Sequence, residues 1–372
     1  MGNGGRWRRR VRGRPPLPVN SPWRTTRRGI TWRASLAAAG LISTAVVTGC
    51  AVSAPGPDDR GAGPRAEASA APEAEASPTS GAATAVAPAP QASATVRDTV
   101  RSDTVRSSVL PRRVVAGYWQ AWGHPSVRLR DVPRDYDLVM VSFATGDSDG
   151  TLRFSQSVQS PASFAADMRA LRATDRRVLL SVGGWRDGGL EIRSAAQLRV
   201  FLRSVSAIID AHHFQGLDWD LEHGIDPARV AEATRWLKAR YGPDFLITMA
   251  PVLDPDLERE QQGLAVRIRG VLDMVSLQFY NTGHGDTAWI VDRALLWARA
   301  VGEDKVAMAF MTVPTRGDTG ELSPAVACGL WRDLVRRAPR ARGVVSWSVN
   351  LDSRSGYAFA RTCGKVVHAG PG

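Results

Sequence analysis

Nine residues constrain this chain more than any others: Phe214-Gln215-Gly216-Leu217-Asp218-Trp219-Asp220-Leu221-Glu222. Leu217, Trp219 and Leu221 alternate with Asp218, Asp220 and Glu222. In an extended strand, successive side chains point to opposite faces, so the three carboxylates share one face and the three large apolar groups share the other. Acidic residues are depleted in strands, and a row of like charges repels itself. Such a row marks a site, because crowding and burial push carboxylate pKa values apart.

The sequence on either side reads as buried strand. Eight apolar runs follow one another: Val114–Gln120, Leu138–Thr145, Arg177–Gly184, Gly216–Glu222, Phe245–Leu253, Met274–Asn281, Lys305–Val313 and Gly343–Asp352. Most are nearly continuous in apolar residues, as parallel strands covered on both faces are. Helical patterns separate several of them. Ser194 with Gln197 makes a capping box before Leu198, Phe201, Val205, Ile208 and Ile209, which fall on one helical face. Asp226-Pro227 opens a helix that carries Val230, Ala233 and Leu237 and stops at Gly242, and Ser323-Pro324 opens another. Repeated βα units of this number predict an α/β fold, a (β/α)8 TIM barrel over residues 112–368. The loop after the first strand has little helical pattern, so one helix of the ring is expected to be short or missing. Active sites of this architecture lie at the C-terminal ends of the strands, where Glu222 is expected.

The residues before the barrel are of another kind. The first fifty hold ten Arg and no acidic residue, and so contribute +10 of the +12 net charge. The remaining 322 residues balance at +2, which gives no support for a nucleic-acid-binding domain. Positive residues, then the apolar run Ala34 to Gly49, then small residues read as an export signal over 1–49; at 16 residues the run is short for a membrane span. It ends Val47-Thr48-Gly49-Cys50, which resembles a bacterial lipobox, with Cys50 as the acylated residue; an ordinary cleavage site beside a free thiol is the alternative. Thr26-Arg27-Arg28-Gly29-Ile30 resembles a twin-arginine signal. Residues 50–111, rich in Ala, Pro, Ser, Gly and Thr, carry too little apolar surface to offset chain entropy and are expected to form a disordered tether. The chain is thus expected to be exported, as a cell-surface lipoprotein or an extracellular protein that meets the membrane only through a lipid at Cys50. Three Cys are too few for a disulfide scaffold or a Cys-based zinc site. Cys328 and Cys363 fall on the last two helical segments, where they either pair or stay as two buried thiols.

Gly216-Leu217-Asp218-Trp219-Asp220-Leu221-Glu222 resembles the signature of family 18 glycoside hydrolases, the chitinase family. Other stretches agree in order and spacing. Gly117-Tyr118-Trp119-Gln120, Ser181-Val182-Gly183-Gly184, Thr248-Met249-Ala250-Pro251, Gln278-Phe279-Tyr280-Asn281 and Val345-Ser346-Trp347-Ser348 resemble the family's first, third, fifth, sixth and eighth strands. The resemblance spans residues 112–368 and is strongest to compact bacterial secreted chitinases, in which Leu-Glu-Asn-Gly stands where this chain has Leu221-Glu222-His223-Gly224. One position departs: the family has a further Asp where this chain has Gln215, which puts the pH profile and the charge on Asp218 in question.

The resemblance implies retaining hydrolysis of β-1,4 bonds in chitin or N-acetylglucosamine oligomers, assisted by the substrate's own acetamido group, with no metal and no cofactor. It implies Glu222 as general acid and base, its pKa raised by the neighbouring Asp220. Asp220 would orient the acetamido N–H, Asp218 would modulate Asp220, and Tyr280 would bond the acetamido carbonyl. Trp347 would form the floor under the cleaved sugar, with Asn281, Gln278, Tyr118 and Ser181 around it. Trp122 and Trp185, just past strand ends, line outer sugar subsites or are ordinary loop aromatics. About ten residues join the seventh strand to the Ser323 helix, which leaves no room for the small domain that deep-cleft members carry there; a shallow groove and endo cleavage by a monomer are expected.

Three rival readings start from the same residues. Asp218, Asp220 and Glu222 with His223, or with His212 and His213, offer metal ligands, but His212 and His213 precede the strand and belong at the other end of a barrel. A sugar-binding relative without catalysis would lack the acid that Glu222 supplies. An endo-β-N-acetylglucosaminidase acting on N-linked glycans uses the same strand and the same acid.

Overall fold

The computed structural model describes residues 110–369 apart from His124 and Arg316. The export signal, Cys50 and the tether lie outside the described residues, except that the tether's expected last residues, Leu110 and Pro111, belong to the barrel: Leu110 is buried in its interior cluster and the Pro111 carbonyl accepts from Arg342. Eight parallel strands close on themselves: β1 (Val114–Gln120), β2 (Leu138–Gly146), β4 (Arg177–Gly183), β5 (Gly216–Asp220), β6 (Leu246–Met249), β7 (Met274–Gln278), β8 (Val306–Met311) and β9 (Gly343–Trp347). β1 pairs with both β2 and β9, which seals the cylinder. The short β3 (Leu152–Phe154) is antiparallel to the end of β2 and stands outside the eight. The fold is a TIM barrel.

Helix α1 (Pro161–Arg172) follows β3; α2 (Ala195–His212), α3 (Pro227–Tyr241), α4 (Pro255–Ile268), α5 (Thr287–Val301) and α6 (Pro324–Arg337) each follow a barrel strand; α7 (Val349–Asp352) and α8 (Ala358–His368) follow the last. Between β1 and β2 the described residues hold only a 3-10 turn, Leu129–Asp131. The helix starts are those that the local chemistry dictates. Ser194 and Gln197 form the reciprocal capping box, and Asp226 accepts from the N–H groups of Ala228 and Arg229 ahead of Pro227.

Two apolar clusters follow from the period of two along the strands. Val114, Ala116 and Tyr118 of β1 point inward and pack with Met140, Leu179, Leu246, Met274 and Val345 inside the barrel. Val115 and Trp119 point outward into the layer between strands and helices, with Val139, Leu217, Trp219 and Phe310. Trp219 is the fullest expression of that layer. It is buried, stacks on Phe201 of α2 with ring centroids 5.4 Å apart, and gives its indole N–H to Thr234 of α3 at 3.0 Å. Burial of such a side chain contributes about 3 kcal/mol. With Leu217 and Trp219 fixed outward, Asp218 and Asp220 face inward.

Three strand readings need correction. The fourth run stops at Asp220, so Glu222 lies two residues past its strand. Its partner β4 ends at Gly183, and the Asp220 carbonyl turns to accept from the N–H of Gly184 at 2.6 Å. With no neighbouring ladder left to extend, the chain departs. The last run ends at Trp347, and Val349–Asp352 is a helical turn in which buried Asp352 accepts from Tyr136 and from the N–H groups of Phe359 and Ala360. The β3 strand has no signal beyond two apolar residues flanking Arg153.

Candidate active site

The barrel's C-terminal mouth collects groups from seven strands. At its base is Asp218, fully buried. Three hydroxyls donate to it: Tyr118 from β1 at 3.1 Å, Ser181 from β4 at 2.8 Å and Thr248 from β6 at 2.5 Å. These bonds favour the carboxylate, yet burial outweighs them and holds the Asp218 carboxyl above its ordinary range. Asp220, 3 % exposed, accepts from the Gln278 amide at 2.9 Å, and the same amide group donates to the Ala250 carbonyl at 3.0 Å. Burial first, then the charges of Glu222 and Asp218, push the Asp220 carboxyl well above the usual aspartate value. Glu222 is half-buried, and burial is the main cause of its raised pKa.

Like-charge repulsion was expected to lift Glu222. Burial is the larger cause at both acids, and the charge they share adds to it. Three carboxyls in so small and dry a space cannot all ionise. Asp220 and Glu222 titrate as a pair that keeps a proton above the ordinary carboxylate range.

Above the acids, Tyr280, Trp347 and Phe143 are the partly exposed rings over the interior cluster. Phe143 stacks against Trp347 at 5.8 Å, Tyr118 meets Trp347 edge-on at 5.6 Å, and Trp122 extends the aromatic row at 5.7 Å from Phe143. The peptide bonds Ser142–Phe143 and Trp347–Ser348 are cis. The Tyr280 phenol is raised by burial and by the charges of Asp220 and Glu222, so it stays a protonated hydrogen-bond donor facing them. Trp185 is 72 % exposed at the rim, with the His223 ring stacked on it at 5.8 Å and its carbonyl 2.9 Å from His223 Nε2.

Gly183 and Gly184 let β4 and β5 end so close together. Gly183 has φ +112°, and a Cβ there would stand 2.1 Å from the Asp220 carbonyl oxygen. Any larger residue would therefore move Asp220 itself.

Several sequence readings land elsewhere. Gln215 sits at the far end of β5, where its amide oxygen accepts from the Val178 N–H at 3.2 Å. It makes no hydrogen bond to any of the three acids. Asn281 is exposed, at φ +56°, and both ends of its amide are taken: Nδ2 donates to Asp318 at 3.1 Å and Oδ1 accepts from the Thr319 N–H at 2.7 Å. It holds the loop after β8 against the mouth. Gln278 is buried beneath the acids and orients Asp220. His212 packs among Phe154, Phe164 and Phe214 at the foot of α2, remote from Glu222. Cys328 and Cys363 are joined as a disulfide between α6 and α8.

Sequence reasoning missed Thr248, Phe143 and Asp318. Thr248 was within reach, since it stands two residues before Ala250 on an alternating strand and so faces inward. Asp318 lies in an irregular loop, and its charge raises both Glu222 and Tyr280. Nothing in its local sequence signals that.

Comparison with known proteins agrees with this geometry. Residues 114–352 match the family model described as glycosyl hydrolases family 18. The chain is 28 % identical over 339 residues to exochitinase 1 of Streptomyces olivaceoviridis, covering 69 % of this chain and 56 % of that protein. It is 30 % identical over 200 residues to chitinase Chi52 of Paenibacillus xylanexedens, covering 45 % of this chain and 37 % of that one. The chain thus spans about half or less of the length of these relatives. Among solved structures, a family GH18 chitinase from Chromobacterium violaceum superposes with a TM-score of 0.60 at 24 % identity, covering 70 % of this chain and 85 % of that one. A fungal endo-β-N-acetylglucosaminidase of family 18 superposes with a TM-score of 0.57 at 18 % identity, covering 69 % and 99 %; likeness at these identities speaks for the fold alone. The inward carboxylate series at the mouth of a TIM barrel and the match over residues 114–352 lead to one conclusion: this chain belongs to glycosyl hydrolase family 18.

Proposed function

We propose that the protein is an exported chitinase that cleaves β-1,4 bonds between N-acetylglucosamine units within the chain, with retention and with Glu222 as acid and base. The observation that carries the reading is the Asp220–Glu222 pair at the barrel mouth, both raised in pKa, beneath the partly exposed Trp347 and Tyr280. The chitinase names of its relatives support the substrate class.

Glu222, protonated, donates to the glycosidic oxygen. The acetamido carbonyl oxygen of the sugar on the non-reducing side attacks C1, the C1–O bond breaks, and the leaving chain departs as a neutral alcohol. The cyclic oxazolinium ion that remains carries its charge near Asp220, which accepts from the acetamido N–H, while the Tyr280 hydroxyl bonds the acetamido oxygen. Asp218, held by three hydroxyls, keeps Asp220 oriented and shares its charge balance. Glu222, now a carboxylate, takes a proton from water; the water oxygen attacks C1 from the face the leaving chain left, and the oxazolinium C1–O bond opens. Two inversions at C1 give retention. Trp347 supplies the flat apolar surface that the sugar ring requires.

Endo action is supported by the short link from Met311 to Pro324, which carries no helix or strand among its described residues and so no added wall domain. A lipid at Cys50 would hold the barrel at a membrane surface through the tether. The product profile from defined chitin oligomers, wild type beside Glu222→Gln, tests the reading. Internal products from the wild type and none from the variant support it. Release of glycans from a glycoprotein with no oligomer cleavage would transfer the protein to the endo-β-N-acetylglucosaminidases.

A further inference from the structure

On the flank of the barrel, away from the catalytic mouth, α2 and α3 enclose a groove of about 580 Å³. Its α2 wall carries Arg199 and Arg203, one helical turn apart, with the Ser206 side chain between that wall and the floor. Its α3 wall carries Trp236 and Arg240. Trp236 is 40 % exposed, unusual for so large an apolar ring, and the Arg240 guanidinium lies over it at 5.6 Å. Asp210 pairs with Arg240 at 2.9 Å and accepts from Tyr241 at 2.8 Å, so one of the three cations is already neutralised. The side chains of Arg199 and Arg203 make no ion pair or hydrogen bond among the described residues. Ser206, 7 % exposed, lines the groove between them with its hydroxyl turned into the protein.

We propose that this groove binds an acidic polysaccharide, at a site separate from the catalytic cleft. The chemistry of the lining selects it. Two uncommitted guanidiniums on positions one helical turn apart match anionic groups recurring along a polymer. An exposed indole accepts the apolar face of a sugar ring. The Asp210 carboxylate at the groove's edge accepts from ring hydroxyls. A nucleic-acid backbone presents phosphates without the row of ring hydroxyls that Asp210 would accept from. The site would hold the protein on a charged glycan matrix while the cleft works on a neutral one.

Affinity electrophoresis of the full chain through gels containing polygalacturonate tests this, with neutral dextran and single-stranded DNA gels beside it. The basic N-terminal arm is common to all variants, so differences between them report the groove. Arg199→Ala/Arg203→Ala is expected to weaken retardation by polygalacturonate about tenfold. Arg269→Ala/Arg299→Ala, which removes equal charge from exposed positions elsewhere, is expected to leave it within about twofold. Trp236→Ala is expected to weaken it about fivefold. Turnover of a chromogenic N-acetylglucosamine oligomer is expected to be unchanged in all three, so failure of the groove proposal is distinct from failure of the catalytic one. Equal losses in the two double-arginine variants, no effect of Trp236→Ala, or retardation by DNA that depends equally on the groove would overturn the proposal.

Discussion

The Gln278 amide donates to Asp220 Oδ1 at 2.9 Å and to the Ala250 carbonyl at 3.0 Å, so one side chain fixes the direction of the middle acid. The same amide lowers the pKa of both Asp220 and Glu222 by favouring their charged forms. Gln278→Ala removes that support, and both groups then hold their protons to higher pH. The whole pH–rate profile is expected to move upward in pH, with kcat down by about tenfold from the lost orientation. An unshifted profile with kcat reduced would show that Gln278 orients without tuning.

Glu222→Gln is expected to lower kcat by about 10³-fold or more while the fold and oligosaccharide binding persist. Asp220→Asn is expected to lower kcat far more than it raises KM, because its proposed work is confined to the transition state. Single-turnover kinetics together with binding of an uncleaved oligomer separate these effects. Retained turnover in Glu222→Gln would remove that residue from its role.

Buried acids have a stability cost that can be read against pH. The folded-state pKa of Asp220 is well above its unfolded value, so between the two the native chain binds more protons. Stability contributed by this group is therefore present below the ordinary aspartate pKa of about 4 and is lost as pH rises through the folded value. Asp220→Asn keeps the shape without the charge. Its Tm is expected to exceed that of the wild type at pH 7, and the difference is expected to shrink toward zero below about pH 4. A variant less stable than wild type at pH 7 would contradict the direction.

The bridge between Cys328 and Cys363 closes a loop with a sequence separation of 35 residues and clamps α8 onto α6. In the chain-entropy model such a closure is worth about 4 kcal/mol. The double variant Cys328→Ser/Cys363→Ser is expected to lose roughly that much in denaturant unfolding, with oligomer turnover retained at low temperature. Equal stability of the variant and the wild type would mean that the bond adds nothing to the packing of α8.

Cys50→Ala tests the proposed anchor. The variant is expected to leave the membrane fraction for the soluble exported one, or to stall unprocessed. Unchanged fractionation would rule out acylation at Cys50 as the means of attachment.

What the sequence alone determined is whatever a short stretch of backbone dictates. Alternation along Leu217–Glu222 assigned Asp218 and Asp220 to one face and Trp219 to the other, because the pleat of a strand is a local property. Caps at Ser194, Asp226 and Ser323 were legible for the same reason, since each satisfies N–H groups within three residues of itself. Tertiary structure alone decided which face is the inside of the barrel and what meets the acids there. Tyr118 and Thr248 stand 100 and 30 residues from Asp218, and Gln278 stands 58 from Asp220. The lock between Asn281 and Asp318, and the idle position of Gln215 at the far end of β5, were likewise invisible along the chain. Hydrogen bonding and desolvation act through space. The raised, shared titration of Asp220 and Glu222 therefore came into view only when the strands had closed around them.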